Sequence, residues 1–125
     1  MAKRVLRYLK GTSEYSLKYE CVNIDEFNLV GFSDSSFGSD PETRKSISGY
    51  LFLLGRNLLC YKSKNQNIVT TSTMEAEYVA LCITSQQPIW LKNILSELLI
   101  IDSKEPVLIY EDNNSCLQLS KKSNT

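Results

Sequence analysis

The chain has 125 residues, with 42% hydrophobic and 22% charged residues, which fits one soluble globular domain. Lys+Arg 14 against Asp+Glu 14 gives a formal net charge of zero, so composition lends no support to a nucleic-acid partner. There is no histidine, which excludes His-based catalysis and His metal ligation.

The cysteines, Cys21, Cys60, Cys82 and Cys116, include no C-x-x-C pair, so zinc-ligand spacing is absent. No apolar run approaches the ~20 residues of a membrane span. With no signal peptide in view, the expectation is an intracellular protein with reduced thiols and no membrane partner.

In chain order, Ala2 to Lys10 predicts a short basic helix with an apolar stripe of Val5, Leu6 and Leu9, stopped at Gly11. Tyr15 to Glu20 alternates and predicts a strand. Asn28 to Ser33 is an apolar run read as a strand that ends at Asp34, and Ser35 to Glu42 has loop composition. Ser48 to Leu54 and Leu58 to Lys62 predict two strands joined by a Gly55-Arg56-Asn57 turn. A polar connection runs from Ser63 to Thr71.

A helix then starts at Ser72, an N-cap that forms a capping box with Glu75. From Met74 to Ile83 it is apolar almost all the way round, the pattern of a buried helix. Glu75 is explained by the cap. Glu77 has no local explanation, and an unpaired buried charge is costly. Pro88 is expected to start a second, amphipathic helix through Ile100, with Trp90 in the core. Val107 to Glu111 predicts a strand ending at Asp112. Asn113 or Asn114 then caps a last helix, Ser115 to Lys122.

Short connections make the first three sheet strands antiparallel neighbours. A right-handed crossover returns the Val107 strand parallel to the first. The expected sheet order is 3-2-1-4. Asp34 and Asp112 then end adjacent parallel strands, and the helix carrying Glu77 starts at the same edge, where open α/β sheets bind ligands. Each acid also has a local use open to it: Asp34 in a turn, Asp112 in a cap, Glu77 as partner to Arg44 or Lys45. The matched positions put a metal site ahead. An all-oxygen ligand set fits Mg²⁺, with Mn²⁺ the alternative ion, and points to two-metal phosphoryl transfer.

Several segments carry a resemblance. They are Gly31-Phe32-Ser33-Asp34, Arg44-Lys45-Ser46-Ile47-Ser48-Gly49-Tyr50, Lys62-Ser63-Lys64-Asn65-Gln66, Ser72-Thr73-Met74-Glu75-Ala76-Glu77-Tyr78 and Glu111-Asp112-Asn113. In this order they resemble the ribonuclease H domain of Ty1/copia-type retrotransposon polyproteins. Residues 3–12 resemble the stretch that joins reverse transcriptase to that domain. The resemblance implies a linker helix over 1–14 and a ribonuclease H-like α/β domain over 15–125.

It also implies an activity: cutting the RNA strand of an RNA–DNA hybrid with two Mg²⁺ ions. Asp34, Glu77 and Asp112 become the catalytic and metal-binding carboxylates. The polar candidates for nucleic-acid contact are Ser35, Ser36, Arg44, Lys62, Lys64 and Asn113. The reverse transcriptase portion of the same polyprotein becomes the expected neighbour. The family's second aspartate is replaced by Ser36. Its fifth strand and fourth carboxylate have no counterpart before Thr125, so impaired activity is an expectation. The alternative is a non-catalytic, transposon-derived remnant that binds nucleic acid or protein.

Overall fold

In the computed structural model, residues 2–102 and 104–122 are described. Helix α1 (Ala2–Gly11) buries none of its residues. A single 3₁₀ turn at Ile24–Glu26 leads into β1 (Leu29–Ser36). β2 (Ile47–Leu54), β3 (Asn57–Asn65), α2 (Thr73–Glu97), β4 (Leu108–Tyr110) and α3 (Asn114–Lys122) follow. The sheet order is β3-β2-β1-β4, as the connections predict. β1 pairs antiparallel with β2 and parallel with β4, and β2 pairs antiparallel with β3. This mixed α/β arrangement is consistent with a ribonuclease H-like fold.

Local chemistry explains the joints. The β2–β3 turn places both Gly55 (φ 53°) and Arg56 (φ 72°) in the left-handed region, the pattern of the tight hairpin turn whose twist matches the strands. Ser72 Oγ accepts the Glu75 N–H at 3.1 Å and caps α2. Glu75 reaches one residue further back than a capping box requires. Its carboxylate takes the Thr71 N–H at 2.6 Å and the Thr71 hydroxyl at 2.8 Å. At α3, Asn113 is the cap, its Oδ1 accepting the Cys116 N–H at 3.0 Å.

The sheet alternates as a half-buried sheet should. Leu29, Gly31 and Ser33 of β1 face inward, while Phe32 and Asp34 face out. The inner face rests on α2, whose buried residues Ala76, Glu77, Ala80, Thr84, Pro88, Leu91 and Leu95 form one stripe at three- and four-residue spacing. Leu29, Phe52, Leu91 and Leu95 make the core, with Tyr50, Leu54, Ile100 and Val107 packed against it. A Cβ at Gly31 would lie 2.5 Å from Phe52 Cε1, so only glycine lets this ring sit under β1.

Four sequence expectations need correction. Tyr15 to Glu20 forms no strand. Alternation makes a strand only where a ladder partner exists, and here one side chain substitutes: Asn57 bonds both the Glu20 N–H and its carbonyl, at 2.8 and 2.9 Å. β1 and β3 run further than expected, to Ser36 and Asn65, because β2 starts at Ile47 and pairs with both through that residue. Pro88 lies inside a single continuous α2. Its missing N–H costs the helix about 3 kcal/mol, and the ring is itself buried in the stripe between Thr84 and Leu91. Finally, α2 is buried on one face only. Trp90 is 47% exposed, its indole N–H donating to Gln87 Oε1 at 3.1 Å.

The end of α2 gives a stability prediction. Ile100 N–H bonds to Leu95 O at 2.9 Å and Leu99 N–H to Ser96 O at 3.0 Å, the paired bonds of a Schellman motif. Leu99 sits there at φ 58° with its side chain exposed. Replacing Leu99 with Gly is expected to raise unfolding stability by about 1 kcal/mol, because left-handed backbone costs an L-residue that much. Urea unfolding measures it; a loss of stability would mean that the exposed side chain contributes packing.

Candidate metal centre

Three elements bring the site together. The parallel register of β1 and β4 ends at Phe32↔Tyr110, and Asp34 and Asp112 each follow two residues further along. Both acids are exposed and face a cleft of about 410 Å³ lined by Phe32, Ser33, Asp34, Tyr110, Glu111 and Asp112. Asp34 Oδ1 accepts the Ser35 N–H at 2.8 Å, which fixes its orientation. Glu77, in the second turn of α2, comes up from beneath the sheet edge. One oxygen from each of Asp34, Glu77 and Asp112 lies within 4.8 Å of the others.

Glu77 is only 8% exposed, and its Oε2 is buried with no hydrogen-bond partner among the described residues. Burial is the main reason its carboxyl is pushed up to about 7; the Ser35 hydroxyl opposes the shift, while the charges of Glu111, Asp34 and Asp112 add to it. The charges acting on Glu77 are all acidic, and neither Arg44 nor Lys45 is among them. A buried carboxylate facing other carboxylates is costly unless a proton or a cation offsets it. Oxygen donors alone, with no His or Cys among the three, suit a hard divalent ion.

One participant lies outside the expected set. In the sequence Glu111 reads only as the last residue of a strand. Tyr110 and Asp112 lie on the outer face, so Glu111 points the other way, towards α2. Its Oε1 accepts the Asn113 N–H at 3.3 Å, and its Oε2 is buried without a hydrogen-bond partner among the described residues. Burial raises its carboxyl too, with the Asp112 charge adding and the Asn113 N–H, together with the nearby Ser33 hydroxyl and Glu77 carboxyl, opposing. Period-two alternation across Tyr110-Glu111-Asp112 was the available signal. Below it, Cys116 is fully buried, its thiol pushed up to about 11 by burial first and then by Glu111, Glu77 and Cys82.

The expected nucleic-acid contacts are not all in one place, although Lys62 lines a groove together with Phe32 and Asp34. Ser36 is exposed at the end of β1, close to the carboxylates. Ser35 points inward, with Oγ buried. Asn113 has its Oδ1 engaged in the α3 cap. Arg44 is exposed in the β1–β2 loop, in left-handed backbone at φ 57°. Lys62 and Lys64 are exposed on β3, two strands away from β1. Next to the acids, Phe32 and Tyr110 stack at 5.2 Å between centroids, 23° from parallel, and both are exposed. No helix among the described residues is long and apolar enough to cross a membrane.

Comparison with known proteins gives a consistent set of relatives. The chain is 40% identical over 121 residues, 97% of its length, to the retrovirus-related Pol polyprotein from transposon TNT 1-94 of Nicotiana tabacum. It is 38% identical over 111 residues to the Pol polyprotein from transposon RE2 of Arabidopsis thaliana. It is 43% identical over 89 residues, 71% of the chain, to the secreted RxLR effector protein 161 of Plasmopara viticola. The chain spans 9% and 7% of the two polyproteins and 61% of the effector protein. No family model and no solved structure matches it. Its homologues over 89% of its length or more are retrotransposon Pol polyproteins.

Proposed function

We propose that this chain, a relative of retrotransposon Pol polyproteins, is a ribonuclease H-like domain that cuts the RNA strand of RNA–DNA hybrids. Asp34, Glu77 and Asp112 would hold the divalent cations, Mg²⁺ or Mn²⁺. The observation that carries the reading is the orphaned, buried oxygen of Glu77, in a residue whose carboxylate meets two exposed carboxylates within 4.8 Å.

Each residue has its task. Glu77 would hold the cations from the buried side of the cleft. Asp34, held by the Ser35 N–H, and Asp112 present the cleft side to substrate. Cations held there would supply water activation and charge neutralisation at the leaving oxygen. Lys62, Lys64 and Arg44 are the cationic groups available to the phosphate backbone. Discrimination for RNA comes from the 2′-hydroxyl and the shape of the hybrid. In a polyprotein, the domain would work beside the reverse transcriptase portion that makes such hybrids.

A substrate panel tests the substrate class. The folded chain is incubated with end-labelled RNA–DNA hybrid, duplex DNA and duplex RNA, each with Mg²⁺ or Mn²⁺. The expected result is cutting of the RNA strand of the hybrid alone. Hybrid binding that persists in chelator with no cutting would move the function to a non-catalytic binding module.

A further inference from the structure

We infer that Glu111 is a fourth cation-binding carboxylate of this site, forming with Glu77 and the Ser35 hydroxyl an inner position for a second divalent ion beneath the sheet edge. The inference rests on the reading of Asp34, Glu77 and Asp112 as a cation site and names a ligand that neither the topology nor the resemblance supplied.

Three oxygens carry it. Ser35 Oγ, Glu77 Oε2 and Glu111 Oε2 are all buried, and among the described residues none has a partner at full hydrogen-bond geometry, although Glu77 lies within reach of both of the others. Buried polar atoms are paired in the great majority of cases, so orphans need an explanation. These three belong to one neighbourhood: Glu77 faces both Ser35 and Glu111. Glu77 is more than nine-tenths buried. Three oxygen donors, two of them carboxylates, match the ligand chemistry of Mg²⁺ or Mn²⁺. Glu77 would then be shared between the two positions, with Asp34 and Asp112 at one and Glu111 at the other. The Asn113 N–H on Glu111 Oε1 fixes the remaining oxygen of that carboxylate and aims Oε2 inward.

The test is a Mn²⁺ titration of the purified chain, with free ion followed by electron paramagnetic resonance, so that no activity is needed. The wild-type protein is expected to bind two ions. Glu111→Gln should weaken one of them by about tenfold or more and leave the other within about twofold. Glu111→Asp, which keeps the charge on a shorter arm, should retain the second ion at reduced affinity and guards against a misfolded Gln variant. Circular dichroism checks the fold of each. One bound ion in the wild type, unchanged in Glu111→Gln, would overturn the role of Glu111 and leave the three-carboxylate reading standing. Binding of no ion by the folded wild type would overturn both.

Discussion

Glu77→Gln is expected to make the cation-free protein more stable at pH 8, by about 2–3 kcal/mol, while abolishing stabilisation by Mg²⁺. The folded carboxyl lies at about 7, raised from an ordinary 4.5. A folded value above the unfolded one means that the native state holds the proton more tightly. The resulting stability is fully present below the unfolded value and is lost as pH rises through about 7. Urea unfolding in chelator should therefore show wild-type stability falling between pH 5.5 and pH 8. Glu111, raised in the same direction, adds to the slope. Glutamine carries no charge to bury, so the variant's profile should be much flatter. Mg²⁺ should restore the wild type at pH 8, because a cation replaces the proton, and should do nothing for the variant. A flat wild-type profile would mean that the Glu77 carboxylate is already solvated or paired.

Phe52→Ala is expected to cost about 3–5 kcal/mol, the range for emptying a buried aromatic position. Phe52 is 0% exposed, lies in the core cluster, and packs edge-on against Tyr50 at 5.9 Å between ring centroids. It also fills the space under Gly31, three residues before Asp34 on β1. Domains of this size are stable by about 5–15 kcal/mol in total, so the variant should be near the limit of folding. Trp90→Ala is the contrasting case. Nearly half of that ring is in water, and the change should cost no more than about 1 kcal/mol. Equal losses in the two variants, read by thermal and urea unfolding, would contradict the placement of the core between β2 and one stripe of α2.

The sheet order and the convergence of Asp34, Glu77 and Asp112 were legible because short connections and one right-handed crossover leave few alternatives. Composition alone could not separate the two faces of α2. Met74 to Ile83 is apolar in every direction, yet the sheet covers only the stripe through Ala76, Ala80 and Thr84. Trp90 was misplaced for the same reason: its size argued for burial, while its angular position on the helix put it outside the stripe. Local propensity makes Pro88 a helix boundary; burial of its ring within the stripe overrides that preference. Tyr15, Leu17 and Tyr19 alternate without a ladder, and all three are exposed. Glu111 could have been found. Once Asp112 is assigned to the outer face, its neighbour must point inward, where an acid needs a partner.

The most direct measurement of the central claim is cleavage of a hybrid carrying a labelled RNA strand by the folded chain, in Mg²⁺, in Mn²⁺ and in chelator, beside Asp34→Asn. The account predicts cation-dependent cutting of the RNA strand that chelator stops and Asp34→Asn lowers by at least about a hundredfold. Equal cutting by wild type and Asp34→Asn, or no cutting by a wild-type protein that is folded and cation-loaded, would contradict it.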